Sequence, residues 1–185
     1  MKYFSKGKRG KIFLINNFAI KKSLVRHINN EVKWLKILNK YNVGPKLISR
    51  GKNYFKYKFV EGKFILDYIK LNNKNKIKEV IINILKQCRI LDILKVSKKE
   101  LHNPIKHIII SKKVVMIDFE RCYLTNKPKN VTQFCQFLIS NNLKNLFEEK
   151  KIKINKTKLI KKAKNYKKSY SNRDFNEILR LILAT

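Results

Sequence analysis

Apolar positions in the first third of the chain recur with two different periods. Ile12–Ile15 and Phe18–Ile20 are short apolar runs separated by Asn16-Asn17. Asparagine tolerates the left-handed backbone of a tight turn, so the pattern predicts a β-hairpin whose second strand ends at Lys21. From Leu24 to Asn39 the period lengthens to that of a helix, with Leu24, Ile28, Leu35 and Leu38 on one stripe and Ser23 offering an N-cap oxygen. Gly44-Pro45 ends the connection, and Leu47–Ser49 and Tyr54–Val60 predict two further strands around a turn at Gly51. Glu61-Gly62 closes this block.

Beyond it the pattern becomes mainly helical. Ile77, Val80, Ile81, Ile84, Cys88 and Leu91 mark one side of a helix over about 76–95. An irregular stretch, Ser97–Lys106, leads to two strand-like runs, His107–Ile110 and Val114–Ile117, on either side of a polar turn at Ser111–Lys113. Val131, Phe134, Cys135 and Leu138 return to helical spacing, and two more amphipathic helices are expected at about 156–169 and 174–183. The expectation is an α+β protein forming one domain, with a strand-rich part over 1–62 that holds one helix and a mainly helical part over 63–185.

Charge changes the picture of what such a protein meets. The 185 residues carry 45 Lys+Arg against 12 Asp+Glu, a formal charge of +33, which attracts polyanions. An A/T-rich genome would enrich lysine, but it would enrich glutamate as well, so the shortage of acids points to RNA or another polyanion as a partner. Cys88, Cys122 and Cys135 are odd in number and lack C-x-x-C spacing, which suggests neither a disulfide framework nor a thiolate zinc site. Met1–Lys11 holds five cations and no apolar core of signal-peptide length. A cytoplasmic protein without a membrane span is expected.

The residue with the most to explain is Glu31, one of few acids, placed on the apolar stripe of the predicted helix. A carboxylate turned toward a core needs a cation, and Lys21, at the end of the Phe18-Ala19-Ile20 run, is the nearest candidate. Asp118 is the third member. It follows the apolar run Val114–Ile117 directly, so its carboxylate is expected where a buried strand emerges into a cleft.

In this order the residues resemble the protein kinase-like fold. Ala19-Ile20-Lys21 looks like that family's strand-lysine motif, Glu31 like its helix partner, and Ile117-Asp118-Phe119 like the start of its metal-binding motif. The closer resemblance is to small Ser/Thr protein kinase-like proteins of archaea, akin to the RIO and lipopolysaccharide-kinase groups, which carry an Asp-Phe-Glu-Arg segment, here Asp118–Arg121. It extends from about Lys6 to Ser140 and includes Gly44–Leu47 and the segment Phe59–Gly62.

The resemblance implies a two-lobed fold with an antiparallel-sheet N-lobe and a reduced helical C-lobe, and transfer of the γ-phosphoryl group of Mg-ATP to a Ser or Thr hydroxyl of a protein substrate. Lys21 would hold phosphates, Glu31 would orient it, and Asp118 would bind Mg²⁺. Gly7 and Gly10, with Lys6, Lys8, Arg9 and Lys11 around them, would form a short phosphate-binding turn. The carbonyl of Lys58 and the amide of Val60 would contact adenine. Glu120 stands where the wider family has glycine and leaves two roles open, assisting the metal or pairing with Arg121.

The Lys99–His107 stretch departs from the kinase catalytic loop, which has an aspartate and, five residues on, an asparagine. Glu100 is the acid available for the first role, and His107 falls near the place of the second, although imidazole is a poor Mg²⁺ ligand. Asn103 is an alternative oxygen donor and Lys106 an alternative charge stabiliser, while structural hydrogen bonding is the plainer role for His102 and His107. A catalytically weak or inactive nucleotide-binding scaffold that binds RNA, ribosomal particles or an acidic protein through its basic surface stays open beside the enzyme.

Overall fold

The computed structural model describes residues 1–7 and 9–185, so Lys8 of the glycine turn lies outside the described residues. The protein is α+β, with antiparallel sheet pairing and helices, and it divides into two compact units. The first comprises 1–62 together with 115–122, and the second 63–114 together with 123–185. The break at Gly62 coincides with the change in hydrophobic period, but residues 115–122 return to the first unit.

In the first unit, β1 (Lys2–Lys6), β2 (Gly10–Ile15), β3 (Phe18–Ser23), β4 (Leu47–Arg50) and β5 (Tyr54–Lys58) form an antiparallel sheet in the order β1-β2-β3-β5-β4. The β2–β3 hairpin turns at Asn16-Asn17, with Asn16 at φ 51°. Gly10 begins β2 opposite Ser23, and a Cβ there would stand 2.6 Å from the Lys22 carbonyl oxygen, so only glycine allows the strands to pair that closely. Helix α1 (Val25–Leu38) lies against β3, β4 and β5.

Ile28, Val32, Leu35 and Leu38 of α1 are buried, but Leu24 is 59% exposed. It precedes the helix as the N-cap residue, so the predicted stripe began one turn too early. Ser23 is not the cap either, because its hydroxyl donates to the Arg9 carbonyl. Gly44 has φ +84°, and a Cβ on it would come within 2.9 Å of Leu35 Cδ2 and 3.0 Å of Phe119 Cε2. Glycine thereby lets the connection after α1 close over these two buried side chains.

In the second unit, α2 (Ile65–Leu71) and α3 (Lys74–Ile93) follow a short strand, β6 (Lys63–Phe64). Next come β7 (Val96–Ser97), a 3-10 turn over Lys99–His102, β8 (Ile108–Ile110) and β9 (Val114–Met116), along which the chain re-enters the first unit. β6 pairs with β8, and β7 with β10 (Tyr123–Leu124). The remainder is helical: α4 (Asn130–Leu138), α5 (Asn141–Glu149), α6 (Lys156–Ser169) and α7 (Asn172–Leu183). The sequence pattern did not predict β1, α2 or α5.

A buried polar hub holds this unit together. Asp92 on α3 accepts from the backbone amide and Nδ2 of Asn130 at 3.0 and 2.7 Å, from the amide of Val131 at 3.2 Å and from the Tyr166 hydroxyl at 3.1 Å. It therefore caps α4 and ties α3 to α6, offsetting the desolvation of its own charge. Burial outweighs these hydrogen bonds and raises its pKa. Asp92→Ala is expected to lower the unfolding free energy by about 3 kcal/mol or more, because several buried donors lose their acceptor, a loss that urea denaturation measures.

Candidate active site

Side-chain alternation along β3 buries Ala19 and Lys21 and leaves Lys22 exposed. Lys21 is thus turned to the side of the sheet on which α1 packs, 7% exposed, and must find anionic partners there. Its Nζ lies 2.7 Å from Glu31 Oε2, 2.7 Å from Asp118 Oδ1 and 3.2 Å from Glu120 Oε2. Glu31 is 3% exposed, and its second oxygen, Oε1, accepts from the Phe119 amide at 3.2 Å. The structure brings Lys21, Glu31 and Asp118 into direct contact.

Helix α1 positions the segment that carries Asp118. Asn30 Nδ2 donates to the carbonyls of Glu120 and Cys122 at 2.8 and 3.1 Å, and Trp34 Nε1 donates to the Cys122 carbonyl at 2.9 Å. Phe119 is fully buried. Between these anchors Asp118 adopts φ +61°, a left-handed conformation that aspartate tolerates better than most residues. Its carboxyl group keeps an exposed side, the side chain being 36% accessible.

The cluster moves the titration of both Lys21 and Glu31. Burial by itself would lower the pKa of Lys21, but the charges of Glu31, Asp118 and Glu120 together hold it well above the ordinary lysine range. Glu31 is raised as well: burial disfavours its charged form, and Asp118 and Glu120 add like-charge repulsion that Lys21 offsets only in part. Both directions follow from burial together with the three carboxylates gathered around Lys21. Arg9 Nη1 adds a second cation, 3.5 Å from Glu120 Oε1.

Sequence reasoning missed Asn30, Trp34, Arg9 and Tyr57 as parts of this arrangement. Tyr57, opposite Ala19 on β5, has its pKa raised by burial and carries the electrostatic imprint of Lys21, Glu31 and Asp118. Helical spacing held a signal for Trp34, three residues after Glu31, and for Asn30 beside it. Glu120, whose role was open, faces Lys21 and Arg9.

The other predicted positions have contacts of their own. Gly7 and Gly10 form a tight turn in which the Gly7 amide donates to the Gly10 carbonyl at 2.9 Å, so that amide is committed within the turn. Lys58 ends β5, its amide bonded to the Lys46 carbonyl, and Val60 follows, half-buried, in the segment before β6. Glu100 and His107 belong to the second unit. Glu100 sits 3.3 Å from the ammonium of Lys98, a fully buried lysine that the sequence pattern did not single out. The His107 amide donates to the Pro104 carbonyl, and His102 Nδ1 lies 2.7 Å from the Lys99 carbonyl oxygen. Among the described residues, no group of three or more His, Cys, Asp or Glu side chains forms a metal cluster, and no helix is long and apolar enough to cross a membrane.

No family model matches the chain. Over 113 residues, 60% of its length, the chain is 30% identical to uncharacterized protein MJ1211 of Methanocaldococcus jannaschii, and the match takes in 97% of that protein. The chain belongs to the MJ1211 family. MJ1211 is matched almost end to end, whereas two-fifths of the present chain lies outside the match.

Replacing Lys21 tests the electrostatic account. Lys21→Met leaves Glu31 buried without its cation and is expected to cost about 3–5 kcal/mol at neutral pH. Without Lys21 the folded state takes up a proton on Glu31 more readily than the unfolded chain, so stability is regained as pH falls toward the raised Glu31 value. Chemical denaturation of wild type and variant across pH 5–8 measures this, and Glu31→Gln in the Lys21→Met background should flatten the pH dependence.

Proposed function

We propose that the protein is an ATP-dependent phosphotransferase of protein kinase-like fold, transferring the γ-phosphoryl group of Mg-ATP to a hydroxyl, with a Ser or Thr side chain of a protein as acceptor. The observation that carries this reading is the Lys21 ammonium held at 2.7 Å by both Glu31 and Asp118. A strand lysine oriented by a helix glutamate beside a half-exposed aspartate is the charge arrangement that gripping phosphates and a metal ion requires.

The residues present fit the implied groups. The Asp118 and Glu120 carboxylates are hard oxygen donors of the kind Mg²⁺ takes. His107 offers a nitrogen donor, which Mg²⁺ takes less readily than oxygen. When bound, Mg²⁺ would neutralise phosphate charge. Lys21 would supply the fixed cation for the phosphates, and Glu31, with one oxygen on Lys21 and the other on the Phe119 amide, would hold both the lysine and the aspartate-bearing segment in register.

In the transfer the acceptor oxygen forms a bond to the γ-phosphorus, the bond to the β-phosphate bridging oxygen breaks, ADP departs, and the hydroxyl proton leaves to a base. Glu100, the acid predicted for that last role, is engaged with Lys98 in the second unit, so support for nucleotide handling comes from the first unit alone. The reading includes a cytoplasmic setting, supported by Cys88 and Cys135 standing as buried free thiols.

Calorimetric titration with ATP, with and without Mg²⁺, followed by transfer of radiolabelled γ-phosphate, is the test. Wild type is expected to bind ATP in a Mg²⁺-dependent manner. Lys21→Met should weaken binding about tenfold or more, and Asp118→Asn should remove the Mg²⁺ dependence and reduce transfer by about 100-fold or more. Binding without transfer would make the chain a nucleotide-binding scaffold, and identical behaviour of wild type and both variants would remove the nucleotide site altogether.

A further inference from the structure

One stretch of the chain is dense in positive charge and free of acids. Between Lys150 and Lys168 the chain has ten lysines and no acid, and α6 carries most of them. Leu159, Ala163 and Tyr166 bury the apolar side of α6, which packs on α4 and α7, so the lysines occupy its remaining circumference. Lys162 pairs with Glu177 at 2.6 Å. Among the described residues no carboxylate lies within ion-pair distance of Lys156, Lys158, Lys161, Lys164, Lys167 or Lys168. Like charges three and four residues apart on a helix repel, so this face is maintained at a cost to the helix.

Beside it, α4 and α6 enclose a groove with a cavity of about 430 Å³. Lys129 at the start of α4 and Lys164 and Lys167 on α6 line it, with Thr132, Gln133 and Gln136 between them. Gln133 Oε1 is buried and has no hydrogen-bond partner among the described residues.

We propose that this groove and the adjoining lysine face of α6 bind the sugar-phosphate backbone of double-stranded RNA. Lysine ammoniums are point charges that suit backbone phosphates without reading sequence. Stacking on single-stranded bases needs exposed aromatic rings, and among the described residues no aromatic side chain lines the groove, while Tyr166 of α6 is buried. A membrane-binding helix must free its apolar side, and that of α6 is packed within the unit. An acidic protein would be anchored by Arg, Trp or Tyr, none of which lines the groove. Thr132 and Gln136, which line the groove among the lysines, offer hydrogen-bonding groups that a 2′-hydroxyl can use, which favours RNA over DNA.

All these residues belong to the second unit and lie outside the nucleotide site, so the proposal stands or falls independently of phosphotransfer. Fluorescence anisotropy of the full chain with a labelled 20-base-pair RNA duplex over 50–300 mM KCl tests it. About four phosphate contacts predict a slope of log K against log salt of about −3 to −4. Lys164→Ala/Lys167→Ala is expected to weaken binding at least about tenfold and to reduce the slope by about 2, whereas Lys36→Ala/Lys40→Ala, which removes the same charge from exposed positions of α1 and the turn after it, should change affinity less than about twofold. Helical circular dichroism, unchanged in both double variants, verifies folding. Equal loss in the two double variants would overturn the proposal, as would equal affinity for a DNA duplex of the same length.

Discussion

The ammonium of Lys21 is the point on which the first unit turns. Three stretches of chain converge on it: β3, which carries it, α1, which brings Glu31, and the 118–120 segment, which brings Asp118 and Glu120. Desolvating a lysine and a glutamate is expensive, and a single pair in such a place often fails to recover that cost. Here two further carboxylates and the Phe119 amide share the compensation. The outcome is a lysine locked in its charged form.

Helix α1 does the mechanical part of that work. Asn30, Glu31 and Trp34 lie within one turn of it, and each engages the returning segment through a different group: a side-chain amide, a carboxylate and an indole N–H. The apolar residues of the same helix, Ile28, Val32, Leu35 and Leu38, seat it in the unit. Displacing α1 would therefore move the glutamate and the aspartate together. In the second unit Asp92 fills the comparable place, gathering α3, α4 and α6 around one buried carboxylate.

What the sequence made legible had periodicity or an anomaly behind it. The β2–β3 hairpin, α1, α3, α4 and the last two helices follow apolar spacing, and Glu31 stood out because an acid on an apolar stripe demands an explanation. Short elements such as β1 and α2 carried too little pattern to be seen, whereas α5, as long as α4, buries Leu143 and Phe147 at a helical spacing that went unread. Leu24 matched the helical spacing but falls at the cap, where spacing no longer implies burial. Glu120 and Trp34 were obscure for a different reason: their partners are remote in sequence, and only the fold brings Cys122 to Trp34 or Arg9 to Glu120. Lys98 was unreadable because nothing local distinguishes a fully buried lysine from its exposed neighbours in a chain so rich in lysine.

The return of residues 115–122 to the first unit has a consequence for how the chain matures. The sheet and α1 are complete in sequence by Gly62, yet Lys21 lacks Asp118 and Glu31 lacks the Phe119 amide until the whole of Lys63–Val114 has been synthesised and the next residues have returned. A nascent first unit thus holds its one buried lysine–glutamate pair with the rest of the cluster missing. Because closing so long an excursion adds loop entropy only slowly with length, the price lies mainly in waiting: assembly of this unit is a late, long-range event, and neither half of the polypeptide is a natural place to cut.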